Sequence, residues 1–211
     1  METPAAVGEP EVRELPIVSG HLALNFANTI DNPGGPTRHD HIGTYPELLQ
    51  WSLRLGVLSS AQVDRLRTAI GKQDAAAAVL RAHDLRRTLV ATFTAIATGE
   101  STIDRNWTDL QPFVIEAVAN AELVPVGGTH EWNWPDNARP HAMLWPIAHA
   151  AADLVTAPEL DRLKRCAGCP WLFLDQSKNA SRRWCAMNDC GTNAKMRRYV
   201  ARRAASRTST R

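Results

Sequence analysis

A chain of 211 residues, 44% apolar and 22% charged, can bury one moderate core plus a small appended unit, which excludes disorder along its whole length. The formal charge of +2 hides two parts of opposite sign: residues 162–211 hold 13 Lys and Arg against Asp175 and Asp189, a net of +11, while residues 1–161 hold 11 against 20, a net of −9. No apolar run reaches the length of a membrane span, and Met1 to Leu15, with Glu2, Glu9, Glu11 and Glu14, lacks a signal-peptide core; a soluble cytoplasmic protein with no membrane partner is expected.

Residues 1–16, rich in Pro, Glu and Ala without period, read as a disordered leader. A mainly helical domain is expected over 17–160. Within it the turn formers Asp31-Asn32-Pro33-Gly34-Gly35-Pro36 mark a mobile loop after the apolar segment Leu22 to Ile30. Thr44 with Glu47 and Ser59 with Gln62 fit capping boxes, in which the hydroxyl and the longer polar side chain satisfy free amides at a helix start. Val63, Leu66, Ile70, Val79, Leu85, Leu89, Phe93 and Ile96 predict two helices interrupted near Gly71, and Phe113, Ile115 and Val118 predict a third beyond Pro112. The apolar and aromatic runs on either side of Gly127-Gly128 predict a hairpin over Glu122 to Trp134. His141 to Val155, apolar around most of its circumference, predicts a central buried helix, with His149, Trp132, Trp134 and Trp145 in the core. Thr156 with Glu159 predicts one more capping box and a short helix from Ala157 into Arg165.

All four cysteines lie within 25 consecutive residues of the basic segment, as Cys166-x2-Cys169, fifteen residues, then Cys185-x4-Cys190. Two close pairs at this separation are the layout of a four-thiolate zinc site, each pair supplying half of a tetrahedron, and Gly168 gives the first pair a flexible turn. Two disulfides or four unrelated buried thiols are the alternatives, disfavoured without a secretory signal. Four cysteines close the coordination shell, so one structural Zn2+ is expected in place of the core that so small a unit lacks. Between the pairs, Trp171-Leu172-Phe173-Leu174 predicts a strand; after Cys190, Gly191 to Ala205 predicts a helix with Lys195, Arg198 and Arg202 on one stripe and Met196, Tyr199 and Val200 elsewhere. The fold class expected is therefore mainly α (α+β): a helical domain with a small β-hairpin over 17–160, a small treble-clef-like zinc finger over 161–205, and a basic tail over 206–211.

The residues Cys166-Ala-Gly-Cys169-Pro-Trp171-Leu-Phe-Leu-Asp175, Ser181-Arg182-Arg183-Trp184-Cys185-Ala-Met187 and Cys190-Gly191 closely resemble the CGNR zinc-finger family over roughly Leu163 to Arg203. His21-Leu22-Ala23-Leu24-Asn25-Phe26-Ala27-Asn28-Thr29 and Leu48-Leu49-Gln50-Trp51, with the Ala-rich helix before the finger, resemble that family's usual partner, the ABATE domain. The resemblance implies a bacterial, stress-related transcription regulator whose finger binds DNA and whose N-terminal domain senses a ligand. One departure stands out: where the family carries Cys-Gly-Asn-Arg, this chain reads Cys190-Gly191-Thr192-Asn193, so an arginine at the helix start is replaced by a shorter neutral amide.

Double-stranded DNA is accordingly the expected partner, and the chain is read as a regulator rather than an enzyme. Lys178, Arg182, Arg183, Lys195, Arg197, Arg198, Arg202 and Arg203 are the phosphate-contact candidates, and Thr192 and Asn193 the base-contact candidates. If five to seven of these cations met phosphates, log affinity would fall with log salt at a slope of about −5 to −6. One finger buries a modest area, which favours a homodimer on paired half-sites. Asn25, Asn28, Asp31 and His39, polar groups beside an apolar segment and a Gly-rich loop, are candidates to orient a small-molecule effector, against the plainer reading of caps and turns. RNA binding, assisted by stacking on Trp171, Phe173 or Trp184, is an alternative. So is an enzyme or sensor whose finger docks a protein partner, although no nucleophile elbow, phosphate loop or paired carboxylate motif supports catalysis.

Overall fold

A computed structural model describes residues 14–31, 38–100, 103–136 and 139–208. Residues 1–13 of the expected leader, the turn cluster from Asn32 to Pro36 and the last three residues of the tail lie outside them. The leader ends earlier than its composition implied: Leu15 is buried in the core, and its carbonyl accepts from the Arg54 guanidinium.

The architecture is a helical body with three small antiparallel strand pairs. A six-residue helix, α1 (Leu22–Ala27), leads into β1 (Ile30–Asp31), which pairs with β2 (His39–Asp40). Helices α2 (Tyr45–Arg54) and α3 (Ser60–Ala69) each open on the expected capping box, at Thr44–Glu47 and Ser59–Gln62. Gly71 separates α3 from the 27-residue α4 (Lys72–Thr98), which ends on Gly99 in the left-handed region.

Helix α4 runs through the centre of the body. Its Ala82, Leu85, Leu89 and Phe93 are fully buried, with Ala23, Leu24 and Phe26 from α1 and Leu48 and Leu49 from α2 in the same core. Arg86 of α4 is buried too. It donates from both terminal nitrogens to the Asp40 carboxylate, at 2.6 and 2.7 Å, and to the Thr29 hydroxyl at 3.1 Å, fastening the β1–β2 pair to the body. Burial pushes the Asp40 carboxyl up, but these bonds and the Ile42 amide outweigh it and hold the group below its ordinary range.

Helix α5 (Ile103–Ala119) differs from the expected third helix, because it begins nine residues before Pro112 instead of after it. Leu110 and Ala117 are buried on the same face to either side of the proline, whereas Pro112 itself is exposed. Packing of that face against α4 and α6 outweighs the roughly 3 kcal/mol that an interior proline costs. The hairpin forms as expected: β3 (Glu122–Val126) and β4 (Thr129–Asn133) turn on Gly127 and Gly128, both at positive φ. Trp132 departs from the expected core position and is 44% exposed, while Trp145 of α6 (Leu144–Thr156) is buried. The expected capping box at Thr156 and Glu159 does not form. Thr156 ends α6 with its hydroxyl bonded back to Ala152 and Asp153 carbonyls, a 3-10 turn spans Pro158–Arg162, and Leu163–Arg165 is a strand, β5. Pro158 explains the break, since it disfavours helical geometry in the residue before it.

Strand β5 pairs with β6 (Leu172–Leu174), and the chain closes with a π-turn over Met187–Gly191 running into α7 (Thr192–Thr208), three residues longer than expected. Among the described residues, no helix is long and apolar enough to cross a membrane.

Candidate metal centre

The first cysteine pair sits in the connection between β5 and β6. The Cys166 amide donates to the Trp171 carbonyl at 2.8 Å, closing the turn, and the Gly168 amide donates to Cys166 Sγ at 3.3 Å. Of the second pair, Cys185 precedes the π-turn and Cys190 lies within it; the Gly191 amide bonds to the Ala186 carbonyl at 3.0 Å and holds Cys190 two residues before α7.

All four sulfurs lie within 4.8 Å of one another, Cys169 to Cys185 at 3.6 Å and Cys185 to Cys190 at 3.7 Å, and the four cysteines are free of disulfides. Zinc–sulfur bonds of about 2.3 Å in a tetrahedron set sulfur–sulfur distances of about 3.8 Å, so the cluster has the dimensions of a four-thiolate zinc site. The proton chemistry agrees. Hydrogen bonds from Cys169 and Cys185 hold the Cys166 thiol far below its usual range, the bond to Cys166 pushes Cys169 up, and bonding to both drives Cys185 upward; burial raises Cys190. Four sulfurs this close cannot all be thiolates unless a cation neutralises them. Cys166, Cys169, Cys185 and Cys190 are buried or half-buried and form a single zinc site with its coordination shell closed by protein.

Gly168 has a role other than flexibility, because its φ is not in the left-handed region. A Cβ there would stand 3.0 Å from Cys190 Cβ and 3.4 Å from its sulfur, so the glycine provides clearance. Gly168→Ala should push Cys190 off its vertex and weaken zinc binding by roughly 10–100-fold, the scale of a disturbed outer-shell contact. Competition with a chelating dye measures this, and an unchanged affinity would refute the clearance argument.

The loop from β6 to Cys185 is organised by Asp175, which has no exposed surface. Its carboxylate accepts from Lys164 Nζ at 2.7 Å, the Ser177 hydroxyl at 2.6 Å and amide at 3.0 Å, and the Arg182 amide at 2.8 Å. Burial works against the ionised form, but these donors prevail and hold the carboxyl far below its usual range.

Arg182, expected among the phosphate contacts, is committed elsewhere. Its guanidinium donates to the carbonyls of Trp184, Cys185 and Val18 and lies 4.6 Å from the centre of the Phe173 ring. Lys178 and Arg183 are exposed. Thr192 and Asn193, the expected base contacts, stitch the π-turn to α7: the Thr192 hydroxyl donates to the Met187 carbonyl at 3.1 Å and the Asn193 amide to the Asp189 carboxylate at 3.1 Å. Lys195, Arg197, Arg198, Arg202 and Arg203 are all exposed on α7, Arg203 lying over the Tyr199 ring. At 100° per residue, Lys195, Arg198 and Arg202 form one stripe, Arg197 points away from it, and Met196, Tyr199 and Val200, each more than half exposed, form a neighbouring stripe.

The residues expected to hold an effector are each engaged within the fold. Asn28, buried at the end of α1, donates to the Leu172 carbonyl at 2.8 Å and accepts from the Leu172 amide at 3.0 Å. Asn25 accepts from the Ser19 hydroxyl, Asp31 pairs with His41 at 3.0 Å, and the His39 ring packs against that of His41. Sequence gave Asn28 no partner, because β6 lies 144 residues away. Together with the Leu174 amide on the Ser19 carbonyl, at 2.9 Å, and Trp171 Nε1 on the Ile30 carbonyl, at 2.9 Å, the Asn28 clamp laces the segment from Val18 to Ile30 onto the finger. Leu172, Phe173 and Leu174 complete the same core as the helices.

Comparison with protein families places both parts. The ABATE profile, described as "Putative stress-induced transcription regulator", matches residues 20–158, and the CGNR zinc-finger profile matches residues 162–203. No curated protein matches the chain. With the first profile spanning well over half of the sequence and the second the four-cysteine site, the chain belongs to the ABATE family and carries a CGNR zinc finger at its C-terminal side.

Proposed function

We propose that this protein is a transcription regulator whose α7 lies against duplex DNA, and that it binds rather than catalyses. The observation that carries the reading is α7 itself. The helix stands on the zinc-bound turn, is exposed from Thr192 to Arg203 over nearly its whole circumference, and presents Lys195, Arg198 and Arg202 along one stripe. Among the described residues none of these three has an acidic partner, and the segment from 162 onward carries the net positive charge. A helix of this diameter fits the major groove, and a cationic stripe beside it suits phosphates. A single helix covers little surface, so two copies on paired half-sites belong to the reading.

With Arg182 committed to carbonyls, Arg197 on another side and Arg203 lying over the Tyr199 ring, the three stripe cations plus Lys178 and Arg183 make about five phosphate contacts, and the expected slope of log affinity against log salt is about −4.5. Titration of labelled duplex fragments at several salt concentrations measures it. Lys195→Ala/Arg198→Ala/Arg202→Ala should flatten the slope to about −2 and retain zinc. Salt-independent binding, or a variant that binds as well as the parent, would refute the reading. Tighter binding to single strands or RNA at one salt concentration would transfer it to RNA. The exposed stripe of Met196, Tyr199 and Val200 favours a second reading, in which α7 docks a protein; zinc-loaded protein with no nucleic-acid binding would support that one.

A further inference from the structure

A cleft of about 330 Å³ opens where the α2–α3 connection, β4 and the start of α6 meet. Trp132 and Trp134, two residues apart and so on one face of the hairpin, form one wall, and Leu22, Leu58 and Met143 form the others. The indoles are held in place: the His149 ring packs against both, at 5.1 and 5.3 Å, and is itself paired with Asp153, while Trp134 Nε1 donates to the Ala117 carbonyl at 2.9 Å. An aromatic as large as Trp132 left 44% exposed on a rigid wall is a surface suited to a ligand.

The chemistry of the lining narrows the ligand. Its polar side chains are Gln62, spent on the Ser59 cap, Asn133, which donates to Glu122, and Asp136. Among the described residues, Asp136 is the only ionised side chain in the lining. It pairs with Arg65 across an exposed rim, an arrangement weak enough for an incoming cation to share. The 161 residues that contain the cleft carry a net charge of −9. Indole faces, one carboxylate and a negative field all favour a cation over an anion.

We propose that this cleft is the effector site of the regulator and takes a small aromatic or aliphatic ammonium ion of about ten to fifteen non-hydrogen atoms, the size its volume admits. The proposal deepens the regulatory reading above and rests on it for the consequence of binding. That consequence has a structural route. Leu22, in the cleft wall, opens α1, and Asn28, which closes it, holds both backbone groups of Leu172 in the finger. One short helix thus touches ligand at one end and the zinc unit at the other, so a ligand that shifts α1 changes the finger.

The test uses the full-length zinc-loaded protein and three probes of similar size: benzyltrimethylammonium, benzyl alcohol and phenylacetate. Calorimetry should give the ammonium a Kd about tenfold below that of the alcohol, with phenylacetate weaker still, the cation–π contribution setting the scale. Trp132→Leu should abolish binding, and Asp136→Asn should remove the preference for the cation. Equal affinity for all three probes, or unchanged binding in Trp132→Leu, would overturn the site. For the route, saturating ammonium should change the rate at which a chelator removes zinc by at least about threefold, and Asn28→Asp, which keeps the acceptor and loses the donor, should cancel that change while leaving the ammonium Kd intact. Binding without any change in zinc release would overturn the route. DNA titration is a separate readout: its failure with ammonium binding intact sinks the regulatory reading, and the converse sinks this site alone.

Discussion

Removal of zinc by a chelator at neutral pH is expected to unfold the finger and to lower the melting temperature of the helical body with it. Structural zinc contributes an apparent ~10–16 kcal/mol to small fingers at neutral pH, and without the ion the four clustered thiols must take up protons and separate. The loss spreads because Leu172 and Phe173 are buried in the core that α1 and α4 also form; exposing these two side chains forfeits about 3–6 kcal/mol of burial. Cys185→Ser should reproduce the effect without chelator. Calorimetry with a parallel zinc assay measures it, and a body that melts at the same temperature with and without zinc would contradict a shared core.

Arg86→Met is expected to destabilise the protein by ~3 kcal/mol, the lower end of the cost of breaking a buried pair, because the Asp40 carboxylate left without its partner is half-buried. That corresponds to a fall of roughly 10 °C in melting temperature for a chain of this size. The sign of the pH dependence is part of the prediction. Asp40 has a folded-state pKa below its unfolded value, so its contribution is present above the unfolded pKa and is lost as pH falls through the folded one. Arg86→Met should therefore be most damaging near neutral pH and converge on the parent in acid. A double variant, Arg86→Met with Asp40→Leu, should recover much of the loss, because the unpaired charge goes with its partner. A destabilisation that is the same at every pH would assign it to packing alone.

What could be read from the chain follows the distance over which each cause acts. The boxes at Thr44 and Ser59, the turn at Gly127 and Gly128 and the four cysteines were legible because each depends on residues close in sequence. The start of α5 was not, since Pro112 carries a strong local signal that packing of Leu110 and Ala117 overrides. Thr156 and Glu159 had the right spacing, but Pro158 between them set a different backbone. Several candidate site residues, Asn28 and Arg182 above all, are polar groups whose partners lie on another segment, and composition says nothing of where such a partner will be. The cleft escaped notice for the same reason, as its walls come from α1, the α2–α3 connection, α3, β4 and α6.

The lacing of Val18 to Ile30 onto β6 makes the finger non-portable. Its sequence boundaries suggest a cassette that evolution or an engineer could excise and attach to another domain, but residues 162–203 taken alone would bare Trp171, Leu172 and Phe173 and leave the Leu172 amide and carbonyl without their receptor. Within the finger, the exposed side chains of α7 from Thr192 to Arg203 are therefore the ones that can change without disturbing the seam.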